Sequence, residues 1–71
     1  MNYIELQKYN SLMSTLAQAL AWYKEKLQEV KEINRNCIKN GYEPHGSMVS
    51  LMLNYNKNIR HLEKRIEDLK V

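Results

Sequence analysis

The chain has 71 residues, a formal net charge of +3, one cysteine and no phenylalanine. A chain of this length forms at most one domain, and a single cysteine cannot form an intrachain disulfide. Folds shorter than about 80 residues usually gain stability from disulfides, metals, regular helix packing or association with another chain. We therefore expect one all-α domain, residues 1–71, that depends on helix packing and self-association.

The composition also bears on location. No apolar run is long enough to span a membrane, and no secretory signal is visible at the N-terminus. Together with the unpaired cysteine, these features predict a cytoplasmic protein without a membrane partner.

Residues 3–39 predict one long helix, because they contain neither glycine nor proline. Side chains that are apolar, or that an apolar helix contact can accommodate, recur there at alternating spacings of three and four residues. This spacing is typical of a helix packed lengthwise on another helix. This stripe consists of Leu6, Tyr9, Met13, Leu16, Leu20, Tyr23, Leu27, Val30, Asn34 and Cys37. Polar residues at 10–15 leave a second possibility open: the helix kinks there, or a short N-terminal helix folds back and makes three helices.

The segment Lys39–Met48 contains both glycines and the only proline. The pair Asn40–Gly41 is typical of a helix C-terminus, Pro44 cannot continue a helix interior, and Ser47 is a good N-cap. We interpret residues 40–46 as an interhelical loop. An active-site loop is the alternative.

A second helix is expected at about residues 47–70, where the same spacing resumes. Its stripe consists of Met48, Met52, Tyr55, Ile59, Leu62, Ile66 and Leu69. A short loop makes the two helices antiparallel neighbours, so the predicted fold is a helical hairpin with coiled-coil-like packing. The shorter second helix is expected to leave about a dozen N-terminal residues uncovered. This predicts dimerisation into a four-helix bundle.

Residues 9–23 carry no charge. A helix without a charged outer face is usually covered on several sides, so this stretch is predicted to contact a second copy of the chain or an unidentified protein. The predicted interface residues are Tyr9, Met13, Leu16, Leu20, Trp22 and Tyr23. The two adjacent aromatic residues are expected to anchor it, because such side chains dominate interface energetics.

A basic patch is the second candidate surface. No acidic residue occurs from Pro44 to Leu62, and basic side chains of both helices can lie toward the same half of the hairpin. The predicted anion-binding residues are Lys31, Arg35, Lys39, Lys57 and Arg60. Such a patch suits a phosphate-bearing ligand, a nucleotide or RNA, and it equally suits a solvated helix surface.

The chain has no residue pattern that indicates catalysis, a metal or a cofactor. Cys37, His45 and His61 are the only soft or imidazole ligands, and within one hairpin they are expected to lie too far apart to bind a metal. Asn34 is a polar residue in an apolar stripe. We expect it to fix the helix register, and lining a ligand pocket is the alternative. An enzymatic function is kept as a third possibility only because the chain contains the two histidines, His45 and His61.

The stretch Ser50–Asn54, SLMLN, shares Ser50 and Leu53 with the S-Q-x-L-D motif of small sporulation-type aspartyl-phosphate phosphatases. The chain also resembles that family in its predicted helical hairpin. Leu51 and Asn54 replace the glutamine and the aspartate of the motif. We interpret the match as a coincidence, or at most as a shared scaffold without the phosphatase chemistry, and it does not assign the chain to that family.

Together these features predict a small non-enzymatic binding protein, a regulator or inhibitor that acts through helix-mediated protein contacts. By analogy of size and fold, we expect a product of a phage or mobile element. The alternative function is binding of a nucleotide, phosphate ligand or RNA by the basic patch of a helical oligomer.

Overall fold

A computed structural model describes residues 2–43 and 46–70 of the chain. It contains helix α1, Tyr3–Lys39, and helix α2, Gly46–Leu69, and the described residues include no strand. The molecule is elongated, with extents of 59 × 15 × 14 Å. The two helices pack against each other along their length, so the predicted all-helical hairpin is confirmed.

The start of α1 is held by a reciprocal cap. The Asn2 Oδ1 atom accepts a hydrogen bond from the Glu5 backbone N–H at 2.9 Å, and the Glu5 carboxylate accepts one from the Asn2 N–H at 3.4 Å. The first N–H groups of a helix have no partner within the helix, and this capping box satisfies two donors there.

Helix α1 runs without a break through residues 10–15, so no short N-terminal helix folds back. The Thr15 hydroxyl donates to the Ser11 carbonyl at 2.9 Å, and the Gln18 amide donates to the Ser14 hydroxyl at 3.4 Å. Since these polar side chains find partners on the helix itself, they do not require a helix end.

Helix α1 ends in a Schellman motif. The Tyr42 N–H donates to the Cys37 carbonyl at 2.8 Å, and the Gly41 N–H donates to the Ile38 carbonyl at 3.0 Å. Gly41 has φ +84°, a conformation that a residue without Cβ adopts at little cost. This is the role that the sequence predicts for Asn40 and Gly41.

Helix α2 begins at Gly46, so Ser47 lies inside the first turn and does not precede it. Helix ends commonly shift by a residue in this way. Pro44 and His45 lie outside the described residues, so the expectations for these two residues stay predictions.

The two helices pack along the predicted stripes. Leu16, Leu27 and Ile59 are buried, with exposed fractions of 5%, 7% and 8%. The half-buried stripe residues are Tyr9, Met13, Leu20, Tyr23, Val30, Asn34, Cys37, Met48, Met52, Tyr55, Leu62, Ile66 and Leu69. Leu6 is exposed, and no described side chain is completely enclosed. We call this contact between the helices the seam.

Helix α2 covers one side of the uncharged stretch, residues 9–23. The Tyr9 hydroxyl donates to the Leu69 carbonyl at 2.8 Å, and the Tyr23 and Tyr55 ring centroids are 5.9 Å apart. Only the residues of α1 before Tyr9 extend past the end of α2. The number of uncovered residues is smaller than the dozen expected. The expectation that α2 leaves about a dozen N-terminal residues uncovered is therefore wrong.

The reason lies at the loop end of the hairpin. Val30 and Ile33 of α1 line one groove together with Ser47 and Met48 from the first turns of α2. Residues 34–39 therefore extend beyond the start of α2. The chain turns back along α1 before α2 begins, so the extra length of α1, 37 residues against 24, is divided between the two ends.

We expect Gly41→Ala to lower the free energy of unfolding by about 1 kcal/mol, because a side chain is strained at positive φ. Gly46→Ala is the matched control. An added Cβ there meets nothing within 4 Å, so stability should stay unchanged or rise by up to about 1 kcal/mol. Urea unfolding at one fixed protein concentration measures both variants. Equal losses would contradict the strained turn.

Candidate functional site

One long side of the hairpin carries exposed apolar side chains beside the seam. We call this side the open face. It is defined by Leu12, Trp22 and Ile33 on α1 and by Leu51 on α2. Their exposed fractions lie between 38% and 52%. An exposed apolar surface of this kind, adjoining a packed seam, is a candidate contact site.

The open face follows from the heptad register of α1. With Leu16 at a d position and Leu27 at an a position, Leu12 and Ile33 fall at g positions on one side of the seam. Apolar residues at a, d and g form a broader stripe than a two-helix seam requires. Helix α1 therefore has apolar surface for a second neighbour besides α2.

At the loop end, the open face contains a groove of about 570 Å³. Its lining residues are Val30, Ile33, Ser47, Met48 and Leu51. All of these except the serine are apolar, and both helices contribute. The groove is open to solvent and suits an inserted apolar side chain.

Trp22 lies near the middle of α1 in an aromatic cluster. Its ring centroid is 5.0 Å from that of Tyr23 and 6.3 Å from that of Tyr55, with interplanar angles of 85° and 88°. Edge-to-face pairs of this kind are favourable. The Lys26 ammonium lies 5.8 Å from the Trp22 ring centroid and 3.3 Å from the Glu29 carboxylate. These contacts orient Trp22 while leaving about half of its surface exposed.

The six predicted interface residues divide between the seam and the open face. Those in the seam are Tyr9, Met13, Leu16, Leu20 and Tyr23. Trp22 alone belongs to the open face. The sequence argument missed Leu12, Ile33 and Leu51, although the heptad spacing between Leu12 and Ile33 was a usable signal.

Two of the predicted anion-binding residues lie together on the outer surface of α2. Lys57 and Arg60 line a shallow groove of about 320 Å³ with His61 and Lys64. Leu53 and Asn56 complete the lining. All of these residues belong to α2.

The other three predicted anion-binding residues lie on α1. They are Lys31, Arg35 and Lys39. The Tyr23–Tyr55 contact sets Lys57 level with about residue 21 of α1, so roughly 15 Å along the axis separates Lys57 from Lys31. The remaining two residues are farther away. The five basic residues therefore do not converge on one site.

The possible metal ligands are also separated. Cys37 is a free thiol, half-buried in the stripe of α1 at the loop end, and His61 is exposed on α2. The helix register places them about 30 Å apart along the axis. Residues 2–43 and 46–70 contain no group of three or more His, Cys, Asp or Glu side chains that could hold a metal.

Asn34 is a polar residue in the apolar stripe of α1, just past the start of α2. Its Oδ1 atom is shielded from solvent and accepts no hydrogen bond in the described part of the chain. A buried acceptor without a partner costs about 1–3 kcal/mol. Asn34 does not line the groove of the open face, so the groove offers no support for a ligand-binding role of this residue.

We expect Tyr9→Phe to lower the free energy of unfolding by about 1 kcal/mol, because it removes the hydrogen bond to the Leu69 carbonyl. Amide hydrogen exchange should accelerate in the last turn of α2. Tyr42→Phe is the control, since this side chain is 70% exposed and should affect neither quantity. Unchanged exchange in Tyr9→Phe would contradict the proposed role of the hydroxyl.

We expect Asn34→Leu to raise the free energy of unfolding by about 1–3 kcal/mol, because it removes the unsatisfied acceptor and adds apolar burial. Asn36→Leu, at an exposed position of the same helix, should change it by less than about 0.5 kcal/mol. Thermal or urea unfolding compares the two. A loss of stability in Asn34→Leu would show that the amide makes a needed contact.

No protein-family model, curated protein or solved structure matches this chain. The similarity of Ser50–Asn54 to a phosphatase motif therefore stays limited to that stretch. Neither α1 nor α2 is long and apolar enough to cross a membrane.

Proposed function

We propose that this chain is a non-enzymatic binding protein that pairs with a second copy through its open face. The pair forms an antiparallel four-helix bundle. One observation carries the proposal: exposed apolar side chains adjoin a seam in which only Leu16, Leu27 and Ile59 are buried among the described residues. The area and the symmetry of the open face both favour a second copy as its occupant.

The hairpin exposes more surface than a compact monomer of its mass. Its accessible area is 5797 Å² for 8.5 kDa. A compact monomer of this mass is expected to expose about 4,700 Å². The excess of roughly 1,100 Å² is comparable to the ~800 Å² that each partner buries in an interface of standard size. Burial of this much surface against a second copy would bring the exposed area of each chain near that of a compact monomer.

The spacing of the open face fits a twofold axis near the aromatic cluster. Leu12 and Ile33 are three heptads apart, about 31 Å along α1, and their midpoint falls between Trp22 and Tyr23. A twofold axis at that point places Leu12 of one copy beside Ile33 and its groove in the other. The same contact then forms twice, as a symmetric interface requires.

Lys26 is a charged residue at a g position of α1, between Leu12 and Ile33. The same axis places Lys26 of one copy beside Ala19 of the other, where the small side chain leaves space for the lysine stem. A lysine can bury its stem and keep its ammonium group in water. That ammonium already lies 3.3 Å from the Glu29 carboxylate, so its charge keeps a partner.

In this proposal the dimer acts as a regulator or inhibitor by occupying the surface of another protein. The residues before Tyr9 extend past α2, and Tyr3, Ile4 and Leu6 are exposed there. Apolar side chains on one helix can dock into a groove of a partner. We assign this end of α1 to the contact with the other protein.

The pairing is tested with cysteines at the two ends of the open face. Leu12→Cys combined with Ile33→Cys, in a Cys37→Ser background, should give a disulfide-linked dimer on a non-reducing gel. The two positions are about 31 Å apart within one hairpin, whereas a disulfide requires Cα atoms within about 7 Å. A disulfide between them must therefore join two copies.

The control combines Leu12→Cys with Leu53→Cys in the same background. Leu53 is 65% exposed but lies outside the open face, so this pair should remain monomeric on the gel. Equal cross-linking of both pairs would contradict the proposed interface. Sedimentation velocity of the parent protein should give twice the 8.5 kDa chain mass, and a monomer at every concentration would overturn the proposal.

A further inference from the structure

The outer surface of α2 carries a row of basic side chains that the open face does not explain. We call this row the basic strip. It consists of Lys57, Arg60, His61 and Lys64. These residues are three and four positions apart, so they lie on one side of the helix and line one shallow groove. From its geometry and charge, we propose that the basic strip binds the phosphate backbone of duplex DNA.

In the part of the chain that the structure describes, the lysine and arginine side chains of the basic strip form no ion pair within 4.0 Å, although Glu63, Glu67 and Asp68 lie within one helical turn of them. The Lys26–Glu29 contact is the one ion pair among the described residues. Helix α2 has no acidic residue before Glu63. Lysine and arginine side chains that are exposed and unpaired can bind an external anion without first losing an ion pair.

The shape of the basic strip argues against a small ligand. Sites for small molecules are concave and bury most of the ligand, whereas this groove lies on the convex surface of a single helix. Single-stranded nucleic acids usually bind by stacking on aromatic side chains, and the imidazole of His61 is the one ring among the residues that line the groove. Tyr55, also on α2, is half-buried in the seam. Two lysines and an arginine beside a single small ring suit a regular phosphate backbone better than a series of stacked bases.

The dimensions of α2 match duplex DNA. Lys57 and Lys64 are separated by about 10 Å along the helix, and a DNA strand advances 3.4 Å per phosphate, so the strip can face about three phosphates. A helix with its side chains is about 10–12 Å wide and fits the major groove of B-DNA, which is about 12 Å wide. The major groove of duplex RNA is too deep and narrow.

The basic strip and the open face lie on different sides of α2. Leu51 joins Ile33 in the groove of the open face, whereas Leu53 and Lys57 line the groove of the basic strip. Pairing of two copies would leave the strip exposed. The DNA proposal therefore does not depend on the dimer, and each can fail without the other.

The test measures fluorescence anisotropy of a short labelled DNA duplex of mixed sequence, titrated with the full chain at several salt concentrations. For three phosphate contacts, log K should fall against log salt with a slope of about −2.7. The strip variant is Lys57→Gln with Arg60→Gln and Lys64→Gln. The charge-matched control variant is Lys31→Gln with Arg35→Gln and Lys39→Gln. We expect at least about a tenfold loss of affinity in the strip variant and less than about a twofold change in the control.

Circular dichroism checks that both variants stay helical, and Arg60→Gln alone provides a milder variant that should reduce the salt slope by about 1. Equal losses in the strip and control variants would show that net charge alone attracts DNA, and would overturn the proposal. Absence of binding at low salt would also overturn it. So would tighter binding to single-stranded RNA, or to vesicles of anionic phospholipid, than to the DNA duplex.

Discussion

Two helices packed side by side shield only one side of each other, and the rest of this molecule depends on that limit. Among the described residues, only Leu16, Leu27 and Ile59 are buried. The other stripe residues are half-buried, apart from Leu6, which is exposed. A chain of 71 residues needs more apolar burial than one seam supplies. The open face is an apolar surface, contributed by both helices, that a second copy could cover to supply it.

Contacts at the two ends of the hairpin determine which side chains meet. The Schellman motif at Gly41 turns the chain back, and the Tyr9–Leu69 hydrogen bond joins the far ends of the two helices. The resulting register brings Ile33 and Leu51 into one groove. The same register separates the basic residues of α1 from those of α2. One geometric relation therefore creates the candidate interface and divides the predicted basic residues into two groups.

Apolar and basic side chains occupy different heptad positions, and this gives the hairpin two independent surfaces. The open face uses g positions on both helices, next to the seam, and Trp22 at the adjacent c position of α1, where a neighbouring helix can pack. The basic strip uses the outer positions of α2, which a four-helix bundle leaves in solvent. Binding of a second copy and binding of an anion would therefore not compete for the same side chains.

The sequence by itself determined that this protein is a helical hairpin. The spacing of apolar residues, alternately three and four positions apart, identifies the seam, and Gly41 marks the end of α1. Both features can be read from the sequence because helix periodicity and a positive φ are local properties of the chain. Only the tertiary structure decided how far the helices are offset. A heptad stripe repeats along its length, so it is compatible with several offsets, and the choice depends on contacts such as Tyr9–Leu69, 60 residues apart. For the same reason the sequence did not reveal the groove between Ile33 and Leu51, and it grouped Lys31 with Lys57 although the helix register separates them by roughly 15 Å along the axis.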